Sequence, residues 1–207
     1  GKGWRGGRGA GGGGGVAGER VGGEFGGEGG KGCASARGYV AASRWDERNG
    51  GLGGMFAETR TGDPRDFRNF VCAVIDEASF DNCMDYINYA KNSPDAEILY
   101  GGAGDKNVGY FVQPTVIKTT DPHFRSMEEE IFGPILTVYV YDDARWTETL
   151  RLCDETSPYG LTGSVFAADR AAIEEAKSLL RYAAANFYIN DKTTAASVGL
   201  QPFGGSR

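Results

Sequence analysis

Met127 to Tyr141 reads MEEEIFGPILTVYVY, and this stretch decides the fold. Three carboxylates lead into a Phe-Gly-Pro turn, after which Ile135 to Tyr141 alternates apolar and aromatic residues as a buried strand does. Gly133 permits a tight turn and Pro134 stiffens the backbone, so a carboxylate at Glu130 is held beside a sheet edge. Two readings are open from these residues alone. They are solvated charges in front of a strand, or a carboxylate held to accept hydrogen bonds from a ligand's hydroxyls.

Outward from this stretch, strands and helices alternate. Downstream, Arg145 to Cys153 reads as a helix and Thr162 to Phe166 as a strand. Asp169 then caps a helix running to about Tyr182, with Ile173, Ala176, Leu179 and Leu180 on one face, and Asn186 to Ile189 is the next strand. Upstream, Val71 to Ile75 is a short buried run. Ser79 is an N-cap for a helix whose Phe80, Cys83, Met84, Ile87 and Ala90 share a face and which Asn92, Ser93 and Pro94 end. Glu97 to Tyr100 is a strand leading into GGAGDKNVG, Gly101 to Gly109. That cluster lacks the Lys-Ser/Thr ending of a phosphate loop and a helix behind it, and Tyr110 to Ile117 is strand-like, so a hairpin or surface loop is expected. The alternation implies an α/β fold, a mostly parallel sheet flanked by helices.

Of the 34 glycines, 23 fall within residues 1 to 54, and Gly11 to Gly15 is pure glycine. Taken literally, such a segment cannot offset its ordering entropy and is a linker or tail, with a composition boundary near Met55. RGGRG at Arg5 to Gly9 also resembles the Arg-Gly boxes of proteins that bind single-stranded RNA, so a Gly/Arg-rich RNA-binding arm on an α/β domain is a competing reading.

The net charge of −6 argues against nucleic acid or an anionic membrane surface as the main partner. The longest apolar run, Ile131 to Tyr141, is far shorter than the roughly 20 residues that span a bilayer. The amino terminus shows no apolar signal-peptide region. Cys33, Cys72, Cys83 and Cys153 form no CxxC pair and have no histidine cluster beside them, so no metal site is expected and a reducing compartment is. The single histidine, His123, has no nucleophile motif beside it and reads as a surface residue.

EIFGP at Glu130 to Pro134, YGLTGSVF at Tyr159 to Phe166, NFYIND at Asn186 to Asp191 and PFGG at Pro202 to Gly205 resemble, in order and spacing, the catalytic domain of the aldehyde dehydrogenase family. GYFVQPTVI, SPYGLTGSVF and NDKTTAASVGLQPFGG look like one branch, the Δ1-pyrroline-5-carboxylate or glutamate-γ-semialdehyde dehydrogenases. The resemblance implies that residues 1 to 207 are part of a catalytic domain whose amino-terminal Rossmann half is absent. It further implies that residues 1 to 54 are an ordinary strand-helix-loop segment whose side chains are misidentified, and 55 to 207 the α/β remainder. The implied reaction is NAD-dependent oxidation of L-glutamate γ-semialdehyde to glutamate through a cysteine thiohemiacetal and thioester. A different aldehyde substrate, or a catalytically dead subunit of the same fold, is compatible with the same motifs.

In the gapless register the nucleophile position is Gly32; Cys33 follows one place later and is the candidate nucleophile. The resemblance gives Glu130 the nicotinamide ribose and Phe132 the nicotinamide. It gives Ala195 and Ala196 the substrate's carboxylate and amino group, and Phe203 the aldehyde pocket. It implies a small-molecule semialdehyde as partner, a homodimer or higher homo-oligomer, no nucleic acid or membrane partner, and the mitochondrial matrix in a eukaryote or the cytoplasm otherwise.

Overall fold

Among the described residues seven strands hydrogen-bond into one sheet, in the order β3-β6-β7-β2-β1-β8-β9. They are β1 (Gly3–Arg8), β2 (Ser35–Ala41), β3 (Ala96–Tyr100), β6 (Thr115–Thr119), β7 (Ile135–Tyr141), β8 (Thr162–Ala167) and β9 (Asn186–Ile189). Every neighbouring pair is parallel except β3 with β6 at one edge. A separate two-stranded hairpin, β4 (Gly104–Asp105) with β5 (Phe111–Val112), takes up the Gly101 to Gly109 cluster. The computed structural model describes residues 3–8 through their backbone, and residues 25, 28–30, 34–194 and 199–200 in full.

The helices described along their whole length are α1 (Trp45–Glu58), α2 (Glu77–Asn92), α3 (Arg125–Glu128), α4 (Trp146–Glu155) and α5 (Arg170–Leu179). Strand alternation sends successive residues to opposite faces of the sheet, and both faces are covered. On one face Tyr39, Ile117, Ile135 and Tyr141 meet α2, α4 and α5 through residues such as Phe80, Ile87, Leu150 and Ala176. On the other, Val40, Val116, Leu136 and Val138 meet Leu52 of α1 and Phe25. A sheet buried on both sides is the α/β layering that the sequence pattern implies.

The literal reading of the glycine-rich segment as a tail fails where the structure describes it. Gly3–Arg8 lies inside the sheet, parallel to β2 on one side and β8 on the other. Strand pairing uses backbone N–H and C=O groups, which glycine carries as any residue does. The RGGRG box is therefore largely a sheet strand, which removes the basis for a free RNA-binding arm. The composition boundary near Met55 falls inside α1 and marks no structural division.

Three expectations shift in detail. Helix α2 begins earlier because Asp76, not Ser79, is the N-cap, its Oδ1 accepting from Ser79 N at 2.8 Å. Val71 and Val74 are buried as expected, but Ile75 is 91% exposed and the run makes only a bridge from Val71 to Thr61. Helix α5 stops at Leu179 rather than near Tyr182, whose ring is exposed.

Candidate active site

Three parts of the chain converge at the amino-terminal ends of β2 and β7: residues 28–30 with 34–35, residues 130–134 and residues 191–193. The first is held by Glu28, whose Oε1 accepts from Cys72 N at 2.8 Å. Gly29 then turns with φ +68°, a conformation that a side chain resists, and packs so closely on the second part that a Cβ would stand 2.1 Å from Gly133 O. The third part folds back from the end of β9. Asn190 bonds Ala167 through both its side-chain atoms, Asp191 O accepts from Ser164 Oγ, and Thr193 Oγ1 lies 3.1 Å from Ser35 Oγ. Ser35 and Thr193 are both buried. Their hydroxyl contact joins the strand that begins two residues after Cys33 to the residue two before Ala195.

The EIFGP turn is fixed from several sides. Asn82 Nδ2 of α2 donates to Ile131 O at 3.2 Å, Thr115 N donates to Pro134 O at 2.8 Å, and Gly133 faces Cys83 Sγ so closely that a Cβ would come within 2.2 Å. Phe132 is locked at φ +54° with its side chain 46% exposed. A bulky residue in the left-handed region costs about 1–2 kcal/mol, and such strain concentrates at functional sites. Phe132 and Ile131 edge a cleft of 620 Å³ whose other walls include Glu28, Val74, Ser79 and Asn82.

The three carboxylates of this stretch do different work. Glu128 binds His123 Nδ1 at 2.8 Å on the surface. Glu129 is bound by Arg125 Nε at 3.1 Å and by the Tyr86 hydroxyl. Arg125 also pairs with Asp85 at 2.7 Å and lies over the Tyr86 ring at 4.2 Å. Burial first, and the neighbouring Glu129 carboxylate second, push the Tyr86 hydroxyl up to about 12. Glu130 differs in that its Oε1 is shielded from solvent. The carboxylate stands two residues before an aromatic ring that strained backbone holds outward at the cleft. The resemblance assigns a nicotinamide riboside to this pair, and Phe132, half-exposed at the edge of the cleft, is open to a flat ring.

Of the residues singled out in the sequence, Glu130 and Phe132 are brought together here. Gly32, Cys33, Ala195, Ala196 and Phe203 lie outside the described residues. Cys83 and Cys153 are buried and Cys72 half-buried, all as free thiols. Burial pushes the Cys83 thiol up to about 11, and burial followed by the Glu28 carboxylate raises that of Cys72, so neither offers a nucleophilic thiolate near neutral pH. Among the described residues no group of three His, Cys, Asp or Glu side chains could hold a metal ion. Sequence reasoning did not single out Arg37 and Ser157, whose buried side chains donate to Met127 O and Glu128 O. An arginine inside the otherwise apolar strand ARGYV was the available signal for the first.

The family model described as the aldehyde dehydrogenase family matches residues 16–207. The mitochondrial Δ1-pyrroline-5-carboxylate dehydrogenase of Dictyostelium discoideum is 55% identical over 185 residues, 89% of this chain and 33% of its own length. The mitochondrial enzyme of the same name from Homo sapiens is 48% identical over 89% of this chain and 32% of its own. Among solved structures, the Δ-pyrroline-5-carboxylate dehydrogenase of Mycobacterium tuberculosis superposes with a TM-score of 0.93 at 40% identity, covering 100% of this chain and 38% of that one. The same enzyme bound with NAD superposes with a TM-score of 0.90 at 39% identity, covering 99% of this chain and 37% of that one. The chain thus spans about a third of the length of the curated relatives it matches. By the family match, the 39–55% identities and the shared fold, this chain belongs to the aldehyde dehydrogenase family.

Proposed function

We propose that the protein containing this chain oxidises L-glutamate γ-semialdehyde, the open form of Δ1-pyrroline-5-carboxylate, to glutamate with NAD, a step of proline breakdown. The observation that carries the reading is the EIFGP turn, with Phe132 strained outward at the edge of the cleft that Glu28 and Gly30, leading to the nucleophile segment, also line. The names of the relatives, and the NAD in the Mycobacterium tuberculosis structure, support the substrate and the cofactor.

In this reading a cysteine thiolate in the loop of residues 31–33, at Cys33 as the sequence stands, attacks the aldehyde carbon. A carbon–sulfur bond forms and the carbonyl oxygen takes the negative charge, which backbone amides of the loop stabilise. Bound NAD supplies the acceptor for the hydride that leaves the same carbon. The resulting thioester is cleaved by water, which releases glutamate and returns the thiol. Glu130 accepts hydrogen bonds from the nicotinamide ribose and Phe132 packs on the ring. Ala195 and Ala196 hold the substrate's carboxylate and amino group, and Phe203 lines the aldehyde pocket. Assembly as a homodimer or larger homo-oligomer belongs to the same proposal. So does a location in the mitochondrial matrix for a eukaryotic source, after the names of its eukaryotic relatives, or in the cytoplasm for a bacterial one.

Gly32 at the nucleophile position of the gapless register favours one second reading, a subunit of the same fold without a nucleophile. Iodoacetamide labelling separates the two, because the raised pKa values of Cys72 and Cys83 and the burial of Cys153 slow those thiols near neutral pH. Rapid alkylation within Lys31 to Ser35, slowed by aldehyde, is the expected result. No reactive thiol in that loop ends the enzyme reading.

A further inference from the structure

Each of the two carbonyls that close α3, just ahead of the Glu129–Glu130 pair, is held by a buried side chain from a distant part of the chain. Arg37, fully buried in β2, donates from Nη1 to Met127 O at 3.5 Å and from Nη2 to Cys153 O at 3.3 Å. Ser157 Oγ, also buried, donates to Glu128 O at 3.0 Å. These carbonyls lie in the last turns of α3 and α4, where helix carbonyls point out of the helix end. Among the described residues Arg37 Nε finds no hydrogen-bond partner. An apolar side chain would fill the position with less desolvation penalty, but it could not tie two helix ends to one strand. The segment that carries Ser157 is itself anchored to β2, because Tyr39 Oη donates to Thr156 Oγ1 at 3.1 Å.

We infer that Arg37 and Ser157 are positioning residues for the Glu130 carboxylate. Together they fix the end of α3 against β2 and the segment after α4, and so set where Glu130 and Phe132 stand. This gives the Ser157 to Phe166 motif a physical task at its first residue. The inference rests on the proposed role of Glu130 toward the nicotinamide ribose.

The test uses the full-length enzyme and two variants that each remove one buried hydroxyl-to-carbonyl hydrogen bond. Ser157→Ala frees Glu128 O and also loses the weaker bond from Tyr159 N at 3.4 Å, whereas Thr149→Val removes the bond from Thr149 Oγ1 to the carbonyl of Arg145, the N-cap of α4, at 2.8 Å. Direct titration with NAD is read beside KM for the semialdehyde and the alkylation rate of the loop thiol. Ser157→Ala is expected to raise the Kd for NAD about 3- to 10-fold, the equivalent of one net hydrogen bond. Its KM for semialdehyde and alkylation rate stay unchanged. Thr149→Val is expected to lower the melting temperature comparably and leave the Kd for NAD where it was. An unchanged Kd in Ser157→Ala, or an equal change in both variants, overturns the inference. Wild-type protein that binds NAD but forms no NADH from the semialdehyde refutes the proposed function instead, while the Kd comparison still decides the role of Ser157.

Discussion

Gly133→Ala probes whether the EIFGP turn is seated on α2 as tightly as its contacts imply. The added Cβ would stand 2.2 Å from Cys83 Sγ, well inside van der Waals contact, and Cys83 is fully buried. Overpacking of this kind costs about 1–3 kcal/mol. The remaining neighbours are benign. Cys83 Cβ and Ile131 Cγ2 both lie 3.7 Å from the new atom, an ordinary contact. Cys83→Ala therefore removes the clash at its source, at a cost on its own of about 1 kcal/mol for the lost buried sulfur. The double variant should be more stable than the sum of the single losses predicts, with a coupling of about 1–2 kcal/mol in its favour. Urea unfolding of the wild type, both single variants and the double variant in the full-length protein measures the coupling, and titration with NAD follows the turn itself. Additive losses would show that Gly133 and Cys83 do not share the space, and the seating of the turn on α2 would be wrong.

Glu130→Gln keeps the shape but removes the charge, so affinity for NAD and the rate of hydride transfer should fall about 10- to 100-fold, the worth of a hydrogen bond to a charged group, while the melting temperature holds. Unchanged turnover in that variant refutes the assigned role. Tyr86 gives a pH signature. Its folded-state pKa is raised from 10.0 to about 12, so the stability it contributes is fully present below pH 10 and is lost as pH rises from 10 to about 12. Tyr86→Phe should flatten that stretch of the stability profile, and an unaltered profile would contradict the burial of the hydroxyl beside Glu129.

Much of the fold was legible because side-chain periodicity carried it. Ile135 to Tyr141 and Asn186 to Ile189 are strands as read, and Phe80, Cys83, Ile87 and Ala90 form the buried face of α2. The glycine-rich amino-terminal segment carried no such periodicity. Its place in the sheet comes from backbone pairing with β2 and β8, which composition does not encode. At the site, the sequence marked Glu130 and Phe132 but not the division of labour among Glu128, Glu129 and Glu130. That division depends on Tyr86, Arg125 and His123, and Tyr86 is brought in from a separate helix. The left-handed Phe132 was equally hidden, because no local pattern marks a bulky residue that adopts positive φ. Ser157 acts on a carbonyl 29 residues away, a distance no local pattern spans.

Whether this chain is part of an NAD-dependent semialdehyde dehydrogenase is tested most directly by NADH formation. The full-length protein is given L-glutamate γ-semialdehyde and, in parallel, propanal. A much larger kcat/KM is predicted for the semialdehyde, whose carboxylate and amino group the proposed function assigns to Ala195 and Ala196. Equal efficiency with propanal would contradict the substrate assignment, and no NADH from either aldehyde would contradict the enzyme itself.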